Sequence, residues 1–178
     1  FSLLFASGTL PVSQQVYTLL ATSKLVALGK PGSDKPRPIG ITGVFHRLGM
    51  TALLKACSEE LASHFGTQRE YGTGITGATQ LLGWTFTLAN ELEPRGVNLW
   101  VDISNGFNSI SRSAVQSGLS DLPPSLSWLR RSFHSFYAEP VPLFFSRDQE
   151  THSILSRVGT MQGDPASGIW FNAGLQRA

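Results

Sequence analysis

Five residues, Val97-Asn98-Leu99-Trp100-Val101, run straight into an acid, Asp102. The run is mostly apolar and follows the helix breakers Pro94 and Gly96. That pattern fits a strand buried in the middle of a sheet. A carboxylate at the end of such a strand is half-desolvated, which is costly unless something compensates it. A divalent metal ion would do so. The following turn would also do so, through the amides of Ser104 or Asn105. What flanks the run decides between these.

Upstream, Val12, Val16, Leu19 and Leu20 follow helical spacing and predict a helix over about 12–22. Leu25 to Leu28 reads as a short strand, Gly32-Ser33-Asp34 as a turn, and Pro38 to Thr42 as the returning strand of a hairpin. Met50, Leu53, Leu54, Cys57, Leu61 and Phe65 form one stripe, predicting a single helix over about 44–65 ended by Gly66. Ala78, Leu81, Leu82, Thr85, Leu88 and Leu92 mark the expected buried face of the next helix.

Downstream of Asp102, Ser111 can cap a short helix to about 119. Pro123-Pro124 breaks the chain, and Leu126, Leu129, Phe133 and Phe136 make another helical stripe. Residues 141–146 and 154–158 read as two strands joined across the polar turn at 147–150. Gly159 to Asp164 is a loop, and Pro165 suits the first turn of a last helix. Helices mixed with short antiparallel hairpins define an α+β fold rather than a doubly wound sheet.

Composition adds limits. Of 178 residues, 41% are hydrophobic and only 15% charged, enough for a core with many turns. The net charge of +2 says little by itself, but Lys24, Lys30, Lys35, Arg37, Arg47 and Lys55 face a single acid, Asp34, across that stretch. Such a segment suits either a phosphate-facing surface or a solvated basic face. The one cysteine, Cys57, rules out an internal disulfide or a cysteine-based zinc site and fits a reducing, intracellular setting. Residues 1–23 carry no charge, yet Gly8, Pro11 and many polar residues break them, so no membrane span is expected. His46, His64, His134 and His152 are scattered without ligand-like spacing. No nucleophile elbow or P-loop is present. The chain starts at Phe1 and stops within an apolar run, 169–175, so both ends read as cut.

Four motifs, in order, resemble the reverse transcriptases of non-LTR retrotransposons. Lys30-Pro31 and Lys35-Pro36-Arg37-Pro38-Ile39, with Arg47 after them, resemble the fingers hairpin. Tyr71-Gly72, with Gly74 and Gly77, is similar to the segment before the palm. Asp102-Ile103-Ser104-Asn105-Gly106-Phe107-Asn108 resembles the first catalytic motif, with Gly106 where Ala is common. Gly159-Thr160-Met161-Gln162-Gly163-Asp164-Pro165 resembles the second palm motif. The resemblance spans about 24–175. It implies right-hand polymerase fingers over 1–96, holding the basic hairpin at about 24–42 and two following helices, and a partial palm over 97–178.

Roles follow from the resemblance. Asp102 would be the catalytic metal ligand, aided by the Ile103 carbonyl, in a site for two Mg²⁺ ions, with Mn²⁺ a substitute. Phe107 would sit under the incoming sugar and exclude a 2′-hydroxyl. Lys30 and Arg37 would reach the triphosphate. Gln162 and Gly163 would line the nucleotide pocket, and Arg47 would touch template or support the fingers. Asp164 would cap the helix that Pro165 begins. The partners implied are an RNA template, a DNA primer and dNTPs, in the nucleus for the parent element. The family's third palm motif carries an Asp-Asp pair, and this chain contains none. The 178 residues alone are therefore expected not to polymerise. Other readings are an inert or nucleic-acid-binding retroelement remnant, an RNA-dependent RNA polymerase, which Phe107 disfavours, and a palm recruited for protein contacts.

Overall fold

The structure is a computed structural model describing residues 1–67, 70, 72–73 and 75–177, less the side chains of Lys30, Ser33 and Lys35. Tyr71 and Gly74 of the segment before the palm therefore lie outside the described residues. The described residues form helices and one mixed sheet, so the α+β class holds. It divides into two compact units, Phe1–Ala56 with Asn105–Ala178, and Cys57–Ser104.

The first unit opens with α1 (Ser2–Ala6) and α2 (Gln14–Leu20). The Ser13 side chain caps α2 by accepting from the Val16 amide. Strands β1 (Ser23–Lys30) and β2 (Ser33–Ile41) form the expected hairpin around Gly32, whose φ is +73°. Helix α3 (Val44–Ala56) closes this part of the chain.

After residue 104 the same unit adds α6 (Gly106–Ser109), α7 (Arg112–Gly118) and α8 (Ser127–Tyr137). The second hairpin, β3 (Val141–Arg147) and β4 (Glu150–Ser156), follows, and α9 (Ser167–Leu175) ends the fold. Asp148 and Gln149 turn it with φ of 52° and 66°, the mirror-image turn that matches strand twist.

The two hairpins join into one sheet of order β2-β1-β3-β4. The join is a short parallel pairing, Ser23 with Leu143 and Lys24 with Phe144. Pro36 and Pro38 sit in β2, an edge strand, where a missing N–H costs little. The core forms where α1, α2, α3 and α8 meet: Phe5 stacks on Tyr17, and Phe5, Phe136 and His46 meet one another edge to face. All four stripe residues of α8 and the turn before it, Leu126, Leu129, Phe133 and Phe136, are buried. A second layer packs α9 on α7, with Trp170 fully buried beside Phe133.

Three expectations need correction. The single helix over 44–65 is two, α3 and α4 (Ser58–Thr67), divided at Cys57. Ser58, Glu59 and Glu60 are residues suited to a new helix N-terminus, which explains the break. Helix α5 (Ala78–Leu92) buries none of its residues, so its expected core stripe is not a core stripe.

The run 97–101 is not a buried strand. It is irregular, and Val97 (93% exposed) and Leu99 (84% exposed) face solvent. A strand exists only where a neighbour takes up its N–H and C=O groups. No described strand includes this run. Within the second unit its described contacts are Trp100 on Phe86, with ring centres 4.4 Å apart, and the Asn98 side chain donating to Asn90. Among the described residues no helix is long and apolar enough to cross a membrane.

Candidate functional site

The loop 159–165 is held from three directions. Gly40 of β2 donates its amide to the Gln162 carbonyl at 2.8 Å. Thr160 donates its amide to the Phe107 carbonyl at 2.7 Å, and its hydroxyl reaches the same oxygen at 3.3 Å. Gly159 donates to the Ile110 carbonyl at 3.1 Å. Segments distant in the chain thereby meet at one loop.

Glycine is required at two points of this loop. Gly159 has φ +70° and Gly163 φ +116°, conformations that L side chains rarely adopt. A Cβ on Gly163 would also lie 2.5 Å from the Gly40 carbonyl oxygen and 3.2 Å from the Ile39 side chain. The hairpin and the loop approach this closely because neither Gly40 nor Gly163 has a side chain.

Beneath the loop lies a polar network that the sequence reading did not find. Asp164 is buried, and its Oδ2 accepts from the Tyr137 hydroxyl at 2.8 Å. Its Oδ1 accepts from the Ala166 amide at 2.9 Å in the turn before α9, but α9 begins at Ser167 with Ala166 as its N-cap, so Asp164 is not the helix cap and Pro165 does not begin the helix. The same Oδ1 lies 3.3 Å from His46 Nε2, off the line of a hydrogen bond. The Tyr137 hydroxyl in turn accepts from the Met161 amide at 3.3 Å. The Ser167 hydroxyl donates to the Met161 carbonyl.

Burial pushes the Asp164 carboxyl up, but the His46 imidazole, the Ala166 amide and the Tyr137 hydroxyl outweigh it and hold it below the ordinary carboxylate value. Burial, then the Asp164 charge, holds the Tyr137 hydroxyl well above its ordinary value, so it stays a donor. Arg112 completes the frame. Its guanidinium donates to the carbonyls of Gly159 (2.9 Å), Tyr137 (3.1 Å), Glu139 (3.3 Å) and Ser156 (2.9 Å), engaging every guanidinium nitrogen.

The structure groups some of the candidate residues and separates others. In the first unit Phe107 on α6 meets the loop 159–165 through its carbonyl, bonded by Thr160 two residues before Gln162. Phe107 is half-buried with its ring 5.2 Å from that of Phe171, Gln162 is half-buried and Gly163 exposed. Arg37 is exposed on β2 opposite Leu28, and Arg47 is exposed in the first turn of α3. The Lys30 side chain lies outside the described residues. Asp102 and Ile103 are exposed and belong to the second unit, in the irregular stretch before α6.

That donor set does not fit a two-ion Mg²⁺ or Mn²⁺ site. Among the described residues no group of three His, Cys, Asp or Glu side chains could hold a metal. Asp102 with the Ile103 carbonyl offers one carboxylate, and a two-metal clamp needs more.

His46 could have been found, since it lies four residues before Met50 on the same face of α3, and both are buried. Tyr137 carried no sequence signal, because its partners come from distant segments. No protein-family model matches the chain, and no characterised protein matches it in sequence.

Proposed function

We propose that this chain is the fingers and part of the palm of a reverse transcriptase of the non-LTR kind. In the intact parent enzyme it would serve RNA-directed DNA synthesis, in which a primer 3′-hydroxyl attacks the α-phosphate of a dNTP and pyrophosphate leaves. The observation that carries the reading is the meeting of three separate motif segments: the hairpin at Gly40, Phe107, and the loop at 159–163. Phe107 is the residue we assign to sugar selection. Gln162 and Gly163 would face the nucleotide, where Gly163 leaves the backbone bare and Gln162 offers both a donor and an acceptor. Arg37 and Lys30 would meet the triphosphate.

The 178 residues by themselves are proposed to be inactive, because they contain no Asp-Asp pair to join Asp102. The same fact favours the second reading, a remnant that binds nucleic acid without copying it.

The test is primer extension by the protein made from the uninterrupted reading frame, on an RNA template. dNTP incorporation that Asp102→Asn abolishes supports the reading. Phe107→Ala or Phe107→Val should admit ribonucleotides. Unchanged sugar preference would remove the gate assignment, and absence of incorporation would leave only the second reading.

A further inference from the structure

A cavity of about 410 Å³ lies beside α7 and α8, and neither Gly40 nor Gln162 lines it. Its walls include Arg112, Arg157 and His134, with Ser113 and Gln116 as neutral hydrogen-bonding groups, and no acid. Among the described ion pairs none involves Arg112 or Arg157. Arg112 is half-buried and held by backbone carbonyls, which satisfy its N–H groups without cancelling its charge. Arg157 is exposed. The acid nearest in sequence, Glu139, lines a different cavity with Gln14 and Leu155.

Cations on a concave wall focus positive potential into it, and a guanidinium fork matches a phosphate. Arg112 cannot turn to meet a ligand without releasing its carbonyls, so it supplies field. Arg157 is the group able to make the contact.

We propose that this cavity takes one backbone phosphate of a nucleic acid, giving the palm an anchor separate from the Phe107–Gln162 cluster. The choice of nucleic acid over a free anion rests on the function proposed above.

The experiment uses the 178-residue chain and a fluorescein-labelled RNA–DNA hybrid, with anisotropy followed across salt concentrations. Arg157→Ala should weaken binding whatever the sequence and reduce the slope of log affinity against log salt by about 0.9, the loss of one phosphate contact. Arg157→Lys should restore most of that slope. An unchanged slope in Arg157→Ala would overturn the proposal. An equal fall in Arg131→Ala, an exposed position outside the cavity, would mean a diffuse basic surface and overturn it too. Inorganic phosphate, followed by ³¹P line broadening, should bind far more weakly than the hybrid. Arg157-dependent phosphate binding with hybrid affinity indifferent to Arg157 would assign the cavity to a free anion instead. Hybrid binding through Arg157 alongside failed primer extension by the whole protein would sink the polymerase reading and leave the cavity standing.

Discussion

The Tyr137 hydroxyl donates to Asp164 Oδ2 at 2.8 Å, and both side chains are buried. Tyr137 ends α8, while Asp164 ends the loop that carries Gln162 and Gly163. The bond thus ties the most buried helix of the first unit to the loop 159–165. The same hydroxyl accepts from the Met161 amide, so one oxygen fixes the loop at two points. Tyr137→Phe removes that oxygen and leaves a buried carboxylate oxygen and a buried amide short of a partner. Urea unfolding should show a loss of about 1–3 kcal/mol. A loss near zero would mean that water replaces the hydroxyl.

Acid should loosen the same loop. The Asp164 carboxyl is held below its ordinary value in the fold, so the unfolded chain binds its proton more tightly than the folded one does. The stability it contributes is fully present above the ordinary carboxylate value and is lost as pH falls through the lower, folded value. Urea midpoints over a descending pH series should drop across that window. Asp164→Asn should start lower and flatten this part of the profile. An identical acid profile in Asp164→Asn would show that another carboxyl governs it.

Gly163→Ala places a methyl 2.5 Å from the Gly40 carbonyl at a φ of +116°. Strain of about 1–3 kcal/mol is expected. The loop and β2 should part, and the Gly40 amide, bonded to the Gln162 carbonyl, should lose hydrogen-exchange protection. Retained protection would show that the close approach is dispensable.

The exposed run 97–101 is uncharged, free of proline and rich in strand-forming residues, which is the composition of an aggregation-prone segment. Val101→Lys changes a side chain that is 76% exposed. It should raise the temperature at which light scattering begins and leave the urea midpoint within about 0.5 kcal/mol of the parent. A large fall in stability would mean that the run is packed in solution.

Local chemistry made much of this fold legible. The turns at Gly32 and at Asp148-Gln149 announced both hairpins, and the spacing of Leu126, Leu129, Phe133 and Phe136 announced α8. Features made by distant segments left no local trace. The parallel pairing of Ser23 with Leu143 and the His46–Asp164–Tyr137 network belong to that class. The run 97–101 shows the converse limit. Its pattern suits a strand, but a pattern cannot supply the neighbour that would pair with it. Phe107, Gln162, Gly163 and Asp102 were singled out by the motif resemblance, which supplied spacing and expected role together, and Asp102 lies in the other unit.

The most direct test of the central claim is the sequence of the source transcript beyond codon 178. A reverse transcriptase origin predicts codons for an aromatic-x-Asp-Asp hairpin shortly downstream, in the same frame for a working gene or in a shifted one for a decayed copy. Downstream sequence with no such hairpin in any of the three frames would contradict the assignment.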